Sequence, residues 1–217
     1  MGLANVFFQG GVVMWPLLGA SILVVTLIFE RGLFWAQVYQ KQLPMVRQFL
    51  SLYDSNPPAA IAQLQQQPHL PMARIFLAAL SLQQATPDEF SLALESAAQA
   101  EIPVLKRFNT VFETVVGVAP LLGLLGTILG LIGALSSLQI GDVGTQKAAG
   151  VTAGIGEALI STAFGLVVAM ITLLFANLFQ GLYRRQRAAI AEYGGRLEIS
   201  YRRYYRQSLY RQRDRKP

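Results

Sequence analysis

One acid stands alone in a long uncharged run. Glu157 is the only ionisable side chain between Ala148 and Phe179, and it falls about ten positions into that stretch, near mid-bilayer. At mid-bilayer depth a charged carboxylate costs at least a few kcal/mol, so Glu157 is expected to face protein or a water path rather than lipid. Dry surroundings favour the neutral acid, and contact with water or a counter-charge restores the anion. A carboxyl that alternates between those states carries protons. The competing reading is an acid protonated permanently and bonded to a neighbouring helix. Ser161 follows one helical turn later, Thr162 lies beside it, and Thr127 sits in a preceding charge-free run. A hydroxyl both donates and accepts, so it can orient water or relay a hydrogen bond. It can equally bond back to the carbonyl of its own helix one turn earlier. These residue types suit the movement of a proton across a membrane better than the making or breaking of a covalent bond.

Other chemistries lack their parts. The 217 residues contain no cysteine and one histidine, His69, in a Pro-rich stretch, so neither a zinc site nor a Ser/His/Asp constellation can be assembled. No GxxxxGK[ST] loop is present to cradle a nucleotide. The chain is therefore expected to be no enzyme and to need no cofactor or metal. Whatever drives its work is not ATP bound to this polypeptide.

The elements that position Glu157 follow from hydropathy. The chain is 53% hydrophobic and 14% charged, which excludes a disordered or strongly solvated protein. An apolar helix of about 20 residues crosses the hydrocarbon core, and three runs qualify: Gly11 to Phe29, Thr114 to Leu138 and Ala148 to Phe179. The first lacks the basic flank and short core of a cleaved signal, so it is read as a retained span. Of the 18 Lys and Arg residues only Lys147 falls between the second and third spans, and none precedes the first. Positive loops stay inside, so residues 1–29 begin in the periplasm, 30–113 are cytoplasmic, 139–147 form a short periplasmic loop and the basic tail 180–217 is cytoplasmic.

Within the cytoplasmic segment Asn56 before Pro57 is an N-cap signal, and Thr86 with Glu89 is a capping box. One helix is expected to run from there into the second span, kinked at Pro103. Ile190, Tyr193, Leu197, Tyr201 and Tyr204 recur at three- and four-residue steps, so the third span should continue as an amphipathic helix. Its basic charge suits anionic lipid beside the membrane, and nucleic acid is not expected as a partner.

The spans also carry packing seams. Gly123, Thr127, Gly130, Ala134 and Ser137 follow steps of four and three, and Gly126 with Gly130 forms a GxxxG pair. Gly154, Ala158, Ser161, Gly165 and Ala169 give the third span a small, partly polar side. Because the two spans run in opposite directions, Thr127 and Thr162 should lie at similar depth, somewhat cytoplasmic of Glu157. Pro120 frees a carbonyl that must be satisfied inside the protein.

With these residues in view, the chain resembles the MotA/TolQ/ExbB proton channel family. The likeness is strongest over Ala119 to Ala134 (APLLGLLGTILGLIGA) and Ala153 to Ala169 (AGIGEALISTAFGLVVA). The three-span layout brings it closest to the ExbB/TolQ branch. The resemblance implies an all-α membrane protein with three transmembrane helices and long cytoplasmic helical extensions, assembling as a ring-shaped homo-oligomer, typically a pentamer, in a bacterial inner membrane. It implies that Thr127, Glu157 and Thr162 line a proton path, with the threonines near an aspartate of a single-span ExbD/TolR-like partner. It also implies that proton motive force is coupled to transport or mechanical work across the periplasm. Ala119 departs from the many members that have Thr there. A self-contained solute transporter would need inverted repeats, and three unlike spans show none. A membrane anchor whose basic tail recruits a partner is the alternative from another class.

Overall fold

The computed structural model describes residues 7–82, 84–136 and 145–213, with only the backbone for 145–149 and 208–213. Ser137 of the expected seam and most of the expected loop 139–147 lie outside the described residues. Among the described residues the regular structure is entirely helical. The helices are α1 (Met14–Gln37), α2 (Leu43–Tyr53), α3 (Pro57–Gln65), α4 (Pro71–Leu80), α5 (Pro87–Leu105), α6 (Asn109–Ser136) and α7 (Thr145–Arg213). A π-helical turn, Val38–Gln42, links α1 to α2. Among the described residues three stretches are helical, long and apolar enough to cross a membrane.

The chain divides into two compact units, one of residues up to Glu30 with Phe108–Phe179, the other of Arg31–Arg107 with the residues from Gln180 onward. In the second unit punctuation sets the helices. Pro57, Pro71 and Pro87 each open one, where a missing N–H costs nothing and the fixed φ suits the first turn. Asn56 caps α3 by accepting from the Ala59 N–H at 3.3 Å. Phe49, Phe76, Phe90, Leu64 and Leu197 are completely enclosed in its core, each contributing roughly 1.5–3 kcal/mol by leaving water. Tyr201 stacks on Phe90 at 3.9 Å between centroids and donates to the Ala85 carbonyl at 2.7 Å. The buried carboxylate of Glu101 is held by a two-pronged contact with Arg74 at 2.7 and 2.6 Å, and Arg74 also donates to the carbonyls of Pro68 and His69. The bond to Glu101 raises the Arg74 pKa further above its ordinary value.

The capping box of α5 forms in full: Thr86 Oγ1 accepts from the Glu89 N–H at 3.3 Å, and the Glu89 carboxylate accepts from the Thr86 N–H at 2.7 Å. Thr86→Ala should cost about 1 kcal/mol, read as a lower midpoint in chemical unfolding of the detergent-solubilised protein. The Thr86 hydrogen bonds hold the Glu89 carboxyl below the usual carboxylate range. Its contribution is therefore present above the unfolded value and disappears as pH falls through the lowered folded one.

The continuous helix expected from Thr86 into the second span is not what forms. Pro103 cannot donate to the preceding turn, α5 ends two residues later at Leu105, and Phe108 takes a left-handed φ of +67° before α6 starts at Asn109. A non-glycine residue there costs on the order of 1 kcal/mol, so the expected kink becomes a break. The tail helix does continue from the third span, since α7 is one element.

Candidate functional site

The site lies in the first unit, where α6 and α7 meet along small residues. The buried positions of α6 are Phe112, Val115, Ala119, Gly123, Gly126, Gly130 and Ala134, spaced in a repeating three, four, four pattern that keeps one narrow face inward. On α7 the matching face carries Ala158, Ser161, Gly165, Ala169 and Thr172. The approach is close enough to exclude side chains. A Cβ on Gly130 would come within 2.7 Å of the Gly154 carbonyl oxygen, one on Gly154 within 2.6 Å of the Gly130 oxygen, and one on Gly165 within 2.6 Å of the Ala119 oxygen. A Cβ on Gly123 would meet Ser161 and Thr162 backbone at 3.0 Å, and one on Gly126 would overlap the Ser161 side chain. Outward, both helices present large apolar side chains such as Leu121, Ile128, Leu135, Leu159 and Met170, which hydrocarbon accepts and water does not.

Hydroxyls divide across this seam. Thr162 Oγ1 donates to the Gly123 carbonyl of the opposite helix at 3.1 Å. Ser161, fully buried, donates to its own-helix Ala158 carbonyl at 3.0 Å and approaches the Gly123 carbonyl at 3.4 Å. Thr127 donates to Leu124 of its own helix at 2.6 Å. The antiparallel register sets Thr127 between the levels of Glu157 and Thr162. Among the described residues no hydrogen bond joins Glu157 to either threonine.

Glu157 is half-buried and meets the first span instead. Gly11, at φ +74°, places its Cα directly against the carboxyl, and any Cβ there would overlap Glu157 Oε1. Gly11 thus satisfies two demands that only glycine meets, left-handed backbone and room for the acid. Beside it opens a cleft of about 870 Å³, lined among others by Phe8, Gln9, Gly130, Gly133 and Gly154. Among the described residues Glu157 is the sole ionisable one lining the cleft, and none of the described lining residues is basic. Among the described residues no cluster of metal-ligating side chains occurs. Gly11 and Gln9 were not singled out by sequence; a Gly-Gly pair immediately before an apolar helix was the available signal.

A helical membrane protein with three spans, a glycine seam and one intramembrane acid is the class these features define. Comparison with known proteins agrees. The model of the MotA/TolQ/ExbB proton channel family matches residues 67–192. A Synechocystis sp. protein described as putative biopolymer transport protein ExbB-like 3 is 59% identical over 198 residues, 91% of this chain and 94% of that protein. A second from the same organism, ExbB-like 1, is 40% identical over 92% of this chain and 79% of its own length. The biopolymer transport protein ExbB of Xanthomonas campestris is 41% identical over 87 residues, 40% of this chain and 34% of that protein. The chain belongs to the MotA/TolQ/ExbB proton channel family, in its ExbB branch.

Proposed function

We propose that this chain is the proton-conducting subunit of an ExbB-type motor. It is a non-enzymatic protein of a bacterial inner membrane, N-terminus periplasmic and C-terminus cytoplasmic. Several copies, five by family resemblance, surround a single-span ExbD/TolR-like partner. Protons pass through Glu157 and return their free energy as movement between ring and partner, which drives transport across the periplasm. The observation that carries this reading is the cleft at Glu157, where one carboxyl meets no counter-charge among the described lining residues. An acid so placed is completed by a charge or a water path from another subunit. Thr162 contributes by holding the Gly123 carbonyl, which fixes the two spans beside the acid.

The test is proton entry into proteoliposomes under an imposed gradient. Chain and partner together should conduct, and either alone should not. Thr162→Val should slow entry by roughly fivefold, the worth of about one hydrogen bond. Thr127→Val should change it less, because that hydroxyl is already bound to its own helix. Equal conduction without the partner would remove the motor reading.

A further inference from the structure

We propose that a pocket beside Trp35, within the second unit, binds an anionic phospholipid of the cytoplasmic leaflet. The pocket measures about 370 Å³, and its walls are largely apolar, with Trp35, Val38, Leu43, Met72, Leu182 and Tyr193 among them. That volume takes a glycerol backbone and the first methylenes of an acyl chain, leaving the remainder of the lipid outside.

Three observations select the occupant. First, the indole of Trp35 is 5% exposed, and its Nε1–H finds no acceptor among the described residues. A buried donor left unpaired costs about 1–3 kcal/mol, and an ester carbonyl beside a glycerol backbone supplies the missing acceptor. Second, the buried side-chain amides that line the same pocket, Gln42 and Gln186, are satisfied. Gln42 and Gln186 bond reciprocally at 2.8 and 3.1 Å, and the Met72 N–H donates to Gln42 at 3.3 Å, so the unpaired indole stands apart from a closed network. Third, among the described residues the lining holds one charged side chain, Arg185, and no acid. Arg185 is exposed and forms no ion pair among the described residues, which leaves its guanidinium for a phosphate.

Placement agrees with the chemistry. Trp35 follows Phe29 by six residues and Arg185 follows Phe179 by six. At about 1.5 Å per residue each lies roughly 9 Å beyond the apolar run, close to the headgroup layer. Tryptophan and arginine are the residues that anchor proteins at that depth.

Trp35 is its own reporter. Trp15 is the second of two tryptophans, exposed and edge-on to Phe7, so Trp15→Phe leaves Trp35 as the only indole. The Trp15→Phe protein is placed in nanodiscs doped with phosphatidylglycerol or phosphatidylcholine brominated near the ester end of the chain, and Trp35 fluorescence is followed. Brominated phosphatidylglycerol should half-quench at a roughly fivefold lower mole fraction, the attraction one basic residue exerts on anionic lipid. Arg185→Gln should abolish that preference while leaving a common, weaker quenching. Equal quenching by the two lipids before the Arg185 change would overturn the site, as would a preference that survives it. Absence of quenching by either lipid would show the pocket filled by protein, a second copy included, and would overturn it too. The readout needs no proton flux, so failure of the motor reading leaves this test intact.

Discussion

Glu157→Gln should reduce partner-dependent proton entry to the background of empty vesicles, a loss of at least about a hundredfold, the usual scale for removing a proton-transferring group. The amide keeps the length, shape and much of the hydrogen bonding of the acid but cannot release or take up a proton. The cleft, the Gly11 contact and the seam should therefore persist, and the variant should still assemble and co-purify with its partner. Glu157→Asp, which retains the carboxyl but withdraws it by one methylene from Gly11, should conduct measurably and more slowly. The two variants separate a proton carrier from a structural hydrogen bond: a merely structural role predicts that the amide works at least as well as the shorter acid. Full conduction by the Gln variant would end the assignment, because among the described residues no other ionisable group lines the cleft.

What could be read in the sequence was whatever has a local period or a local charge signal. The spans show as charge-free runs, the α6 seam as glycines and alanines three and four apart, and the caps at Asn56 and Thr86 as residue pairs within one turn. Contacts between segments distant in the chain leave no such trace. Gln42 and Gln186 pair across 144 positions, and each alone is an unremarkable polar residue in an amphipathic stretch. Gly11 meets Glu157 for the same kind of reason: the glycine has a backbone explanation in sequence, and its service to the acid exists only once the first and third spans are packed. The break after Leu105 was hidden differently. Pro103 signalled a disturbance, but apolar residues continue on both sides at helical spacing, and the left-handed Phe108 that ends the helix is a conformation no local pattern announces.

The seam itself carries the second large effect. Gly165→Leu and Gly154→Leu should prevent α6 and α7 from closing, seen as loss of folded protein from the membrane fraction and rapid cleavage by added protease. The atoms that block a side chain there are the Ala119 oxygen at 2.6 Å from the Gly165 Cβ position and the Gly130 oxygen at 2.6 Å from that of Gly154, with the Ala134 nitrogen at 3.0 Å. These are main-chain atoms and cannot rotate aside, so the helices must part, and in lipid that parting forfeits the dispersion contacts that hold them. Alanine at either position should cost about 1–3 kcal/mol, the range for overpacking by one methyl, and lower the thermal midpoint in detergent. Gly117, where nothing stands within 4 Å of a Cβ, is the internal comparison. Gly117→Ala should be neutral or raise stability by up to about 1 kcal/mol, because alanine is the better helix former. If Gly165→Ala and Gly117→Ala melt alike, the close approach of the two spans is not what holds Glu157 in place.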